Sequence, residues 1–393
     1  MTRTWVFRLV NLSLFVLGVA LFLHGHHAGA FLALVTCQEE IIGNPYILAF
    51  NAGQTVESIM PNTAVAQHWD LLLTGTLTNA GYSTPPSLFV ESLENLVSAV
   101  QVNASAAVPG GVNEQFKNVD MAYLRFISNI YEQQDVARVN IGTTNAAFAF
   151  STTPRLYFGD PLAVDAKTGK KVGARYWFDT RLCSASGVKL DITWRSAAAM
   201  VYGGVAGTST LSNTSLQVLA RDYYGIPNQT AQGATIARQY LREVQQQYPV
   251  LSTAVDNQFY NLRTGAILHR LVLKGLVSPS TTGVSFADPS DAPLGSNFTR
   301  AEGPHVKLKI NNNAFTPLDS VYQQLQNGDI KLFKLANAWR TGYLVFEPSA
   351  AHYVQAMLNL RAAVNMTLWG DTEVTANVQN NVQLTYVERV RPQ

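Results

Sequence analysis

The stretch VKLDITW, residues 188–194, alternates strictly between apolar and polar side chains. Successive side chains of a β-strand point to opposite faces, so this alternation predicts a strand with one buried and one exposed face. On the N-terminal side of this stretch, residues 136–150 are rich in small and β-branched residues, and the aromatic runs LYF (156–158) and ARYWF (174–178) flank a lysine-containing turn. These patterns predict a run of antiparallel strands between about residues 136 and 195.

Other segments carry apolar residues at helical spacing. In residues 83–101, two prolines precede a stripe that includes Leu93, Leu96 and Val100, which is typical of a helix start followed by one buried face. The same reasoning predicts further helices over residues 114–132, 236–248, 255–277, 318–326 and 350–363. The sequence thus predicts an α+β fold, an antiparallel β-sheet region with several amphipathic helices packed against it.

The remaining segments complete this prediction. Residues 203–215 are rich in Gly, Ser and Thr and are typical of a linker or a long loop, and residues 278–304 carry the strongest loop signal. Residues 306–310 alternate as a strand, and residues 373–387 suggest a closing hairpin that turns at Asn380 and Asn381. We expect a first region over residues 31–205 and a second over 206–393, unless the two form one domain.

The N-terminus has the composition of a secretory signal. Arg3 and Arg8 precede an apolar run from Leu9 to Leu23, and Ala28-Gly29-Ala30 offers the small residues that a signal peptidase reads. We therefore predict a signal peptide over residues 1–30, which places the protein outside the cell, at its surface or, in a bacterium, in the periplasm. Two alternatives remain: an uncleaved anchor that extends to residue 35, and a lipid anchor on Cys37.

Composition limits the class of partner. Of the 393 residues, 47% are apolar and only 14% are charged, against about 25% charged in average soluble domains. The formal net charge is +2 and no long run of like charge occurs, so the sequence does not predict nucleic-acid binding. The densest basic cluster lies in a predicted solvated turn and consists of Lys167, Lys170, Lys171 and Arg175.

Two kinds of covalent site are candidates. In an oxidising compartment, the only two cysteines, Cys37 and Cys183, can form one disulfide, with two buried thiols as the alternative. In a secreted eukaryotic protein, Asn-x-Ser/Thr acceptors are glycosylation candidates. Beyond the signal these acceptors are Asn103, Asn213, Asn228, Asn297 and Asn365.

Motifs for common chemistries are absent from the sequence. There is no nucleophile elbow, zinc-protease helix, phosphate-binding loop, dinucleotide fingerprint or calcium loop, and we therefore predict no cofactor and no metal. The histidines beyond the signal are scattered, and Glu91 and Glu94 are best explained as a solvated helix start. These histidines are His68, His269, His305 and His352.

These observations favour a secreted or cell-surface protein without catalytic activity. Its expected role is binding or structural self-assembly, with a protein or another copy as partner and membrane contact only through an uncleaved N-terminus. The alternative is a secreted hydrolase, acting on glycans through two carboxylates beside Trp177 or Trp194. The candidate carboxylates are Asp70, Asp179, Asp191 and Asp222.

Overall fold

A computed structural model describes most of the chain beyond the N-terminus. The described residues are 38–41, 46–60, 62, 64–89, 91–106, 114–132, 141–164, 177–224, 240–279, 304–312, 314–322, 324–325, 343–348, 358–374 and 378–390. The predicted signal peptide and Cys37 lie outside this set. None of the helical segments in the described part has the length and apolarity that a bilayer crossing requires.

The described residues form 22 strands. The first half contains β1 (Gln38–Ile41), β2 (Tyr46–Ala49), β3 (Thr55–Ile59), β4 (Val65–Ala80), β5 (Ser87–Leu88), β6 (Val97–Ala106), β7 (Glu114–Val119), β8 (Ala147–Thr152), β9 (Arg155–Tyr157), β10 (Phe178–Asp179), β11 (Cys183–Trp194), β12 (Val201–Tyr202) and β13 (Thr208–Tyr224). The second half contains β14 (Tyr240–Pro249), β15 (Ala254–Phe259), β16 (Ile267–Pro279), β17 (His305–Ile310), β18 (Phe315–Val321), β19 (Tyr343–Phe346), β20 (Leu358–Asn359), β21 (Met366–Thr372) and β22 (Val378–Val390).

Helical structure is limited in the described residues. The one long helix is α1 (Met121–Glu132), and short 3-10 turns cover Glu94–Leu96, Thr180–Leu182 and Ala197–Ala199. Asp120 caps α1, because its carboxylate accepts a hydrogen bond from the backbone N–H of Tyr123 at 2.7 Å.

Twenty of these strands form two β-sandwiches that share one sheet, and β5 pairs separately with β12. Nine strands pair in the order β19-β16-β22-β14-β7-β6-β11-β3, with β20 beside β16. Its β3, β6, β7 and β11 half faces a seven-stranded sheet built around β4 and β13, and we call this pair of layers the N-terminal sandwich. The other half faces the four-stranded sheet β15-β21-β17-β18, and this pair is the C-terminal sandwich.

The two sandwiches meet within the shared sheet at a parallel seam. Strands β7 and β14 pair in parallel, with Glu243 opposite Lys117 and Val244 opposite Asn118. The other strand pairs among the described residues are antiparallel, so this short seam is where the direction of the sheet changes. Backbone pairing across this seam therefore joins the two sandwiches through one continuous sheet.

The shared sheet is covered on both faces in its C-terminal half. Leu271 and Leu273 of β16 pack into the core of the C-terminal sandwich, whereas Val272 between them joins the core of the N-terminal sandwich. Helix α1 covers this second face, and the rings of Phe126 and Tyr343 stack there with centroids 4.1 Å apart. Residues 268–276 of β16 are therefore buried without interruption.

The predicted α+β class is wrong, because the described chain is mostly β-sheet and contains one long helix where several were expected. Residues 97–101, 240–248 and most of 255–277 are strands where helices were expected. Burial on both faces explains the error for β16: such a strand is a continuous apolar run, and periodicity alone cannot distinguish it from a buried helix. The helix expected over 114–132 starts only at Met121, after β7.

Several local predictions are confirmed and others fail. The antiparallel strands expected between 136 and 195 are present as β8 to β11, and β17 contains the strand expected at 306–310. The expected linker or loop at 203–215 instead enters β13, which pairs with β4. The expected hairpin at Asn380 is one continuous strand, β22.

Candidate functional site: the polar interface between the two sandwiches

A set of buried charged and polar side chains lies where helix α1 and the N-terminal sandwich pack against the C-terminal half of the shared sheet. Strands β14, β16 and β22 direct toward this interface the side chains of Glu243, Arg270, Lys274 and Gln383, all at most 3% exposed. Burying a charge is costly unless it is paired and hydrogen-bonded, so the partners of these groups decide how the two sandwiches fit together.

The first pair lies on the parallel seam itself. Lys117 of β7 and Glu243 of β14 are register partners, and the Lys117 Nζ lies 2.8 Å from the Glu243 carboxylate. Their side chains are 0% and 2% exposed. Burial lowers the pKa of Lys117, and the charge and hydrogen bond of Glu243 oppose that shift. The pair therefore depends on the seam keeping its register.

The second group surrounds the fully buried guanidinium of Arg270. It donates to the Glu347 carboxylate at 2.9 and 3.0 Å, to Asp160 at 3.1 Å and to the hydroxyl oxygen of Tyr131 at 3.1 Å. His269 lies 2.8 Å from the same oxygen of Asp160. Adjacent residues of a regular strand point to opposite faces, but a bulge in β16 between Leu268 and Arg270 lets both His269 and Arg270 reach Asp160.

The carboxylates of Asp160 and Glu347 and the imidazole of His269 have the composition of a metal site, and their ligand atoms lie within 4.8 Å of one another. The Arg270 guanidinium contacts both carboxylates, so it supplies the positive charge that a cation would supply. We assign this group to the interface between the sandwiches. The sequence predicts no metal, and Arg270 accounts for the cluster without one.

The third group joins Lys274 of β16 to Glu91. The Lys274 Nζ lies 2.5 Å from one oxygen of Glu91, and the hydroxyl of Tyr343 donates to the other at 2.7 Å. Glu94 is fully buried and lies 3.5 Å from Arg125. The prediction of a solvated helix start at Glu91 and Glu94 is therefore wrong, because both face the interior.

The carboxylates considered for glycan hydrolysis are not brought together among the described side chains. Asp70 of β4 binds Arg155 and Arg221. Asp179 binds Arg181 and is the register partner of Val65, which lies five positions before Asp70 on β4. Asp191 lies in the other sheet and accepts a hydrogen bond from Asn103 at 2.9 Å. The side chain of Asp222 lies outside the described set. Each of the three described carboxylates thus has its own partner.

The two tryptophans and the remaining histidines also have structural surroundings. Trp194 is buried against Phe50, and Trp177 is half-buried. His68 lies 3.5 Å from Asp70 on the same face of β4, and His305 lies 3.2 Å from Asp319. His352 lies outside the described residues. Each of the three described histidines, His68, His269 and His305, lies beside a different carboxylate.

The candidate covalent sites stay predictions. Cys183 is a buried thiol whose pKa burial raises to about 12, while its proposed partner Cys37 is not described. Asn213 is exposed at a positive φ of 50°, inside the register shift of β13 between Ser212 and Ser215. The amide nitrogens of Asn103 and Asn365 donate to Asp191 and Asn312. Asn228, Asn297 and the basic cluster at residues 167–175 lie outside the described residues.

The Asp70 carboxyl should make stability depend on pH. Burial raises its pKa, but the hydrogen bond and charge of His68, the charge of Arg155 and the hydrogen bond from Arg221 outweigh burial and hold the pKa well below its usual range. A lowered folded-state pKa contributes stability that is complete above about pH 4, the unfolded value, and is lost as pH falls further. We expect D70N to cost about 1–2 kcal/mol at pH 7 and less below pH 4, measured by urea unfolding. Control D319N, at a side chain 53% exposed, should change little, and a pH-independent D70N cost would contradict the prediction.

Comparison with solved structures extends over nearly the whole chain. The STIV MCP aligns over 91% of this chain and 97% of its own, with a TM-score of 0.63 and 13% identity. The chain has the fold of viral jelly-roll capsid proteins. A structure of Sulfolobus Turreted Icosahedral Virus gives a TM-score of 0.61 over 91% of both chains at 15% identity. The major capsid protein P2 of bacteriophage PM2 gives 0.50 over 90% of this chain and 98% of its own at 11% identity.

The similarity to the capsid proteins is one of fold. No protein-family model matches the sequence, and no curated protein sequence matches it. The capsid fold accounts for both sandwiches and the shared sheet at once, because the alignment spans them. At 11% to 15% identity, the likeness to these capsid structures shows the fold alone. Export from the cell is a separate matter that the fold does not address.

Proposed function

We propose that this protein is the major shell-forming subunit of a viral capsid and that its partners are further copies of itself. The observation that carries the proposal is the whole-length agreement with the STIV MCP, which covers both sandwiches rather than one. The buried interface supports it, because a shell subunit must hold its two halves in one fixed orientation to repeat accurately. Closed assemblies of identical subunits need such uniform contact surfaces.

Fractionation of a culture that produces the protein tests this function. Particles are separated on a density gradient, and each fraction is assayed with an antibody against the full chain. We expect the chain to be the most abundant protein of a nuclease-resistant particle and to resist protease until that particle is disrupted. Recovery of the chain only at the top of the gradient, while particles band below without it, would contradict the proposal.

We also propose that the apolar N-terminus directs the chain to a membrane and is cleaved after Ala30. The proposal is supported by Arg3 and Arg8 ahead of the apolar run and by the small residues at 28–30. N-terminal sequencing of the natural product tests it. A mature chain that begins at Phe31 supports cleavage and export. A product that begins at Met1 or Thr2 contradicts cleavage and leaves the apolar segment attached to each subunit.

A further inference from the structure

The buried contact between Lys274 and Glu91 joins two distant parts of the chain. Glu91 lies in the segment that leads into β6 of the N-terminal sandwich, and Lys274 belongs to β16 of the shared sheet. The Lys274 Nζ donates to the Glu91 Oε2 at 2.5 Å, across 183 positions of sequence. The two residues are 3% and 7% exposed. The contact therefore takes place away from bulk water.

The Lys274 ammonium has fewer acceptors than it has donors. It carries three N–H groups, and its hydrogen bond to Glu91 is the one it makes to a described residue. Its other contact is with the ring of Tyr343, whose centroid lies 5.0 Å from Nζ. The Arg270 guanidinium, by contrast, donates to three other side chains. A buried charge that is poorly hydrogen-bonded is costly, and proton transfer from Nζ to the Glu91 carboxylate removes both charges of the pair.

Tyr343 of β19 holds the other oxygen of the Glu91 carboxyl. Its hydroxyl donates to the Glu91 Oε1 at 2.7 Å. Tyr343 is the register partner of Lys274, and its ring stacks on Phe126 of α1, so backbone pairing and stacking fix the position of the hydroxyl. A donor aimed at a carboxyl oxygen stabilises the negative charge that develops there when a nucleophile adds to the carbon.

We infer that Lys274 and Glu91 join through an isopeptide bond between their side chains in the folded protein. Nζ passes one proton to Oε2 and attacks Cδ, so that an N–C bond forms and the negative charge collects on Oε1 beside the hydroxyl of Tyr343. The nitrogen then gives a second proton to Oε2. The Cδ–Oε2 bond breaks, one water molecule leaves, and the carbonyl re-forms at Oε1. The step needs no oxidant, reductant or further reactant.

Burial and fixed geometry distinguish this contact from an ordinary surface ion pair. Groups held in contact reach effective concentrations of about 10⁵–10⁸ M, and exclusion of water opposes the reverse hydrolysis. Lys189 and Glu57 approach one another to 2.9 Å, but their side chains are 42% and 48% exposed. Both charges are solvated there, so we expect no bond between them. The inference is independent of the proposed capsid function.

Mass spectrometry of the full chain tests the inference. We expect the intact mass to fall short of the mass of the mature sequence by one water molecule. Digestion of the unfolded chain should yield a branched peptide that contains both Lys274 and Glu91, whereas Lys189 and Glu57 should appear in separate peptides from the same digest. Absence of the branched peptide from the folded chain would overturn the inference. An equal yield of a crosslink between Lys189 and Glu57 would overturn it as well.

Two variants locate the chemistry. K274R keeps a cation beside Glu91 but removes the amine, so the branched peptide should disappear and the full mass should return, while the control K189R keeps the crosslink. K274M is a second variant with the same expected loss if K274R does not fold. Y343F keeps the stacked ring but removes the hydroxyl, and we expect bond formation to slow by roughly 10²–10³-fold. Timed digestion of newly synthesised chain measures that rate, and an unchanged rate in folded Y343F would contradict the role of Tyr343.

Discussion

Substitution K117M should lower the free energy of unfolding by about 3–5 kcal/mol, because it leaves the Glu243 carboxylate buried at the seam without its cation. The double variant K117M/E243L removes both charges and should recover most of that loss. Buried ion pairs replaced by apolar groups of similar volume are often neutral or even stabilising. Urea unfolding of the single and double variants, followed by circular dichroism, measures both effects.

The control for this experiment is K189M. Lys189 and Glu57 also pair across neighbouring strands of the shared sheet, with their charged atoms 2.9 Å apart, but their side chains are 42% and 48% exposed. Exposed pairs contribute roughly 0–1 kcal/mol, so K189M should cost no more than that. If K117M and K189M cost the same, the buried seam pair has no special role in joining the sandwiches.

Substitution R270A should cost at least as much as K117M, again about 3–5 kcal/mol or more. It removes a guanidinium that donates to Asp160, Glu347 and Tyr131 and leaves two buried carboxylates close together. The comparison variant is R263A, because Arg263 is 30% exposed and its partner Glu388 also binds Arg242. Its cost should stay near 1 kcal/mol. Thermal and urea unfolding of both variants measure the difference.

Zinc provides a second measurement on R270A. Without the guanidinium, the ligand atoms of Asp160, His269 and Glu347 remain as three zinc-type donors within 4.8 Å of one another. We expect Zn²⁺ to raise the melting temperature of R270A and to leave that of the parent protein unchanged, because Arg270 supplies the positive charge there. Equal responses of the two proteins to Zn²⁺ would contradict the assignment of Arg270 to this role.

Local strand patterns could be predicted where one face of a strand is polar. Residues 188–194 alternate because the shared sheet has one covered and one open face there, and β17 alternates for the same reason. Strand β16 could not be predicted in this way. Helix α1 covers its second face, so the polar half of the alternation is missing and its apolar spacing also suits a helix.

The candidate site was beyond prediction for a different reason. Lys117 and Glu243 are 126 positions apart, and each is an ordinary charged residue in its own segment. His269 and Arg270 share Asp160 only because β16 carries a bulge. A charge that is solvated and one that is buried have the same sequence signature, so Glu91 and Glu94 suggested a surface position.

Composition and local spacing alone identify a weakly charged, apolar chain with strands near its middle, an N-terminal signal-like segment and none of the common catalytic motifs. Composition and short-range spacing carry that information because they depend only on neighbouring residues. Only tertiary contacts bring the strands into two sandwiches on one sheet and bring buried charges from distant segments together between them. Those features depend on which distant segments cover each face of a sheet, and local spacing along the chain does not encode that.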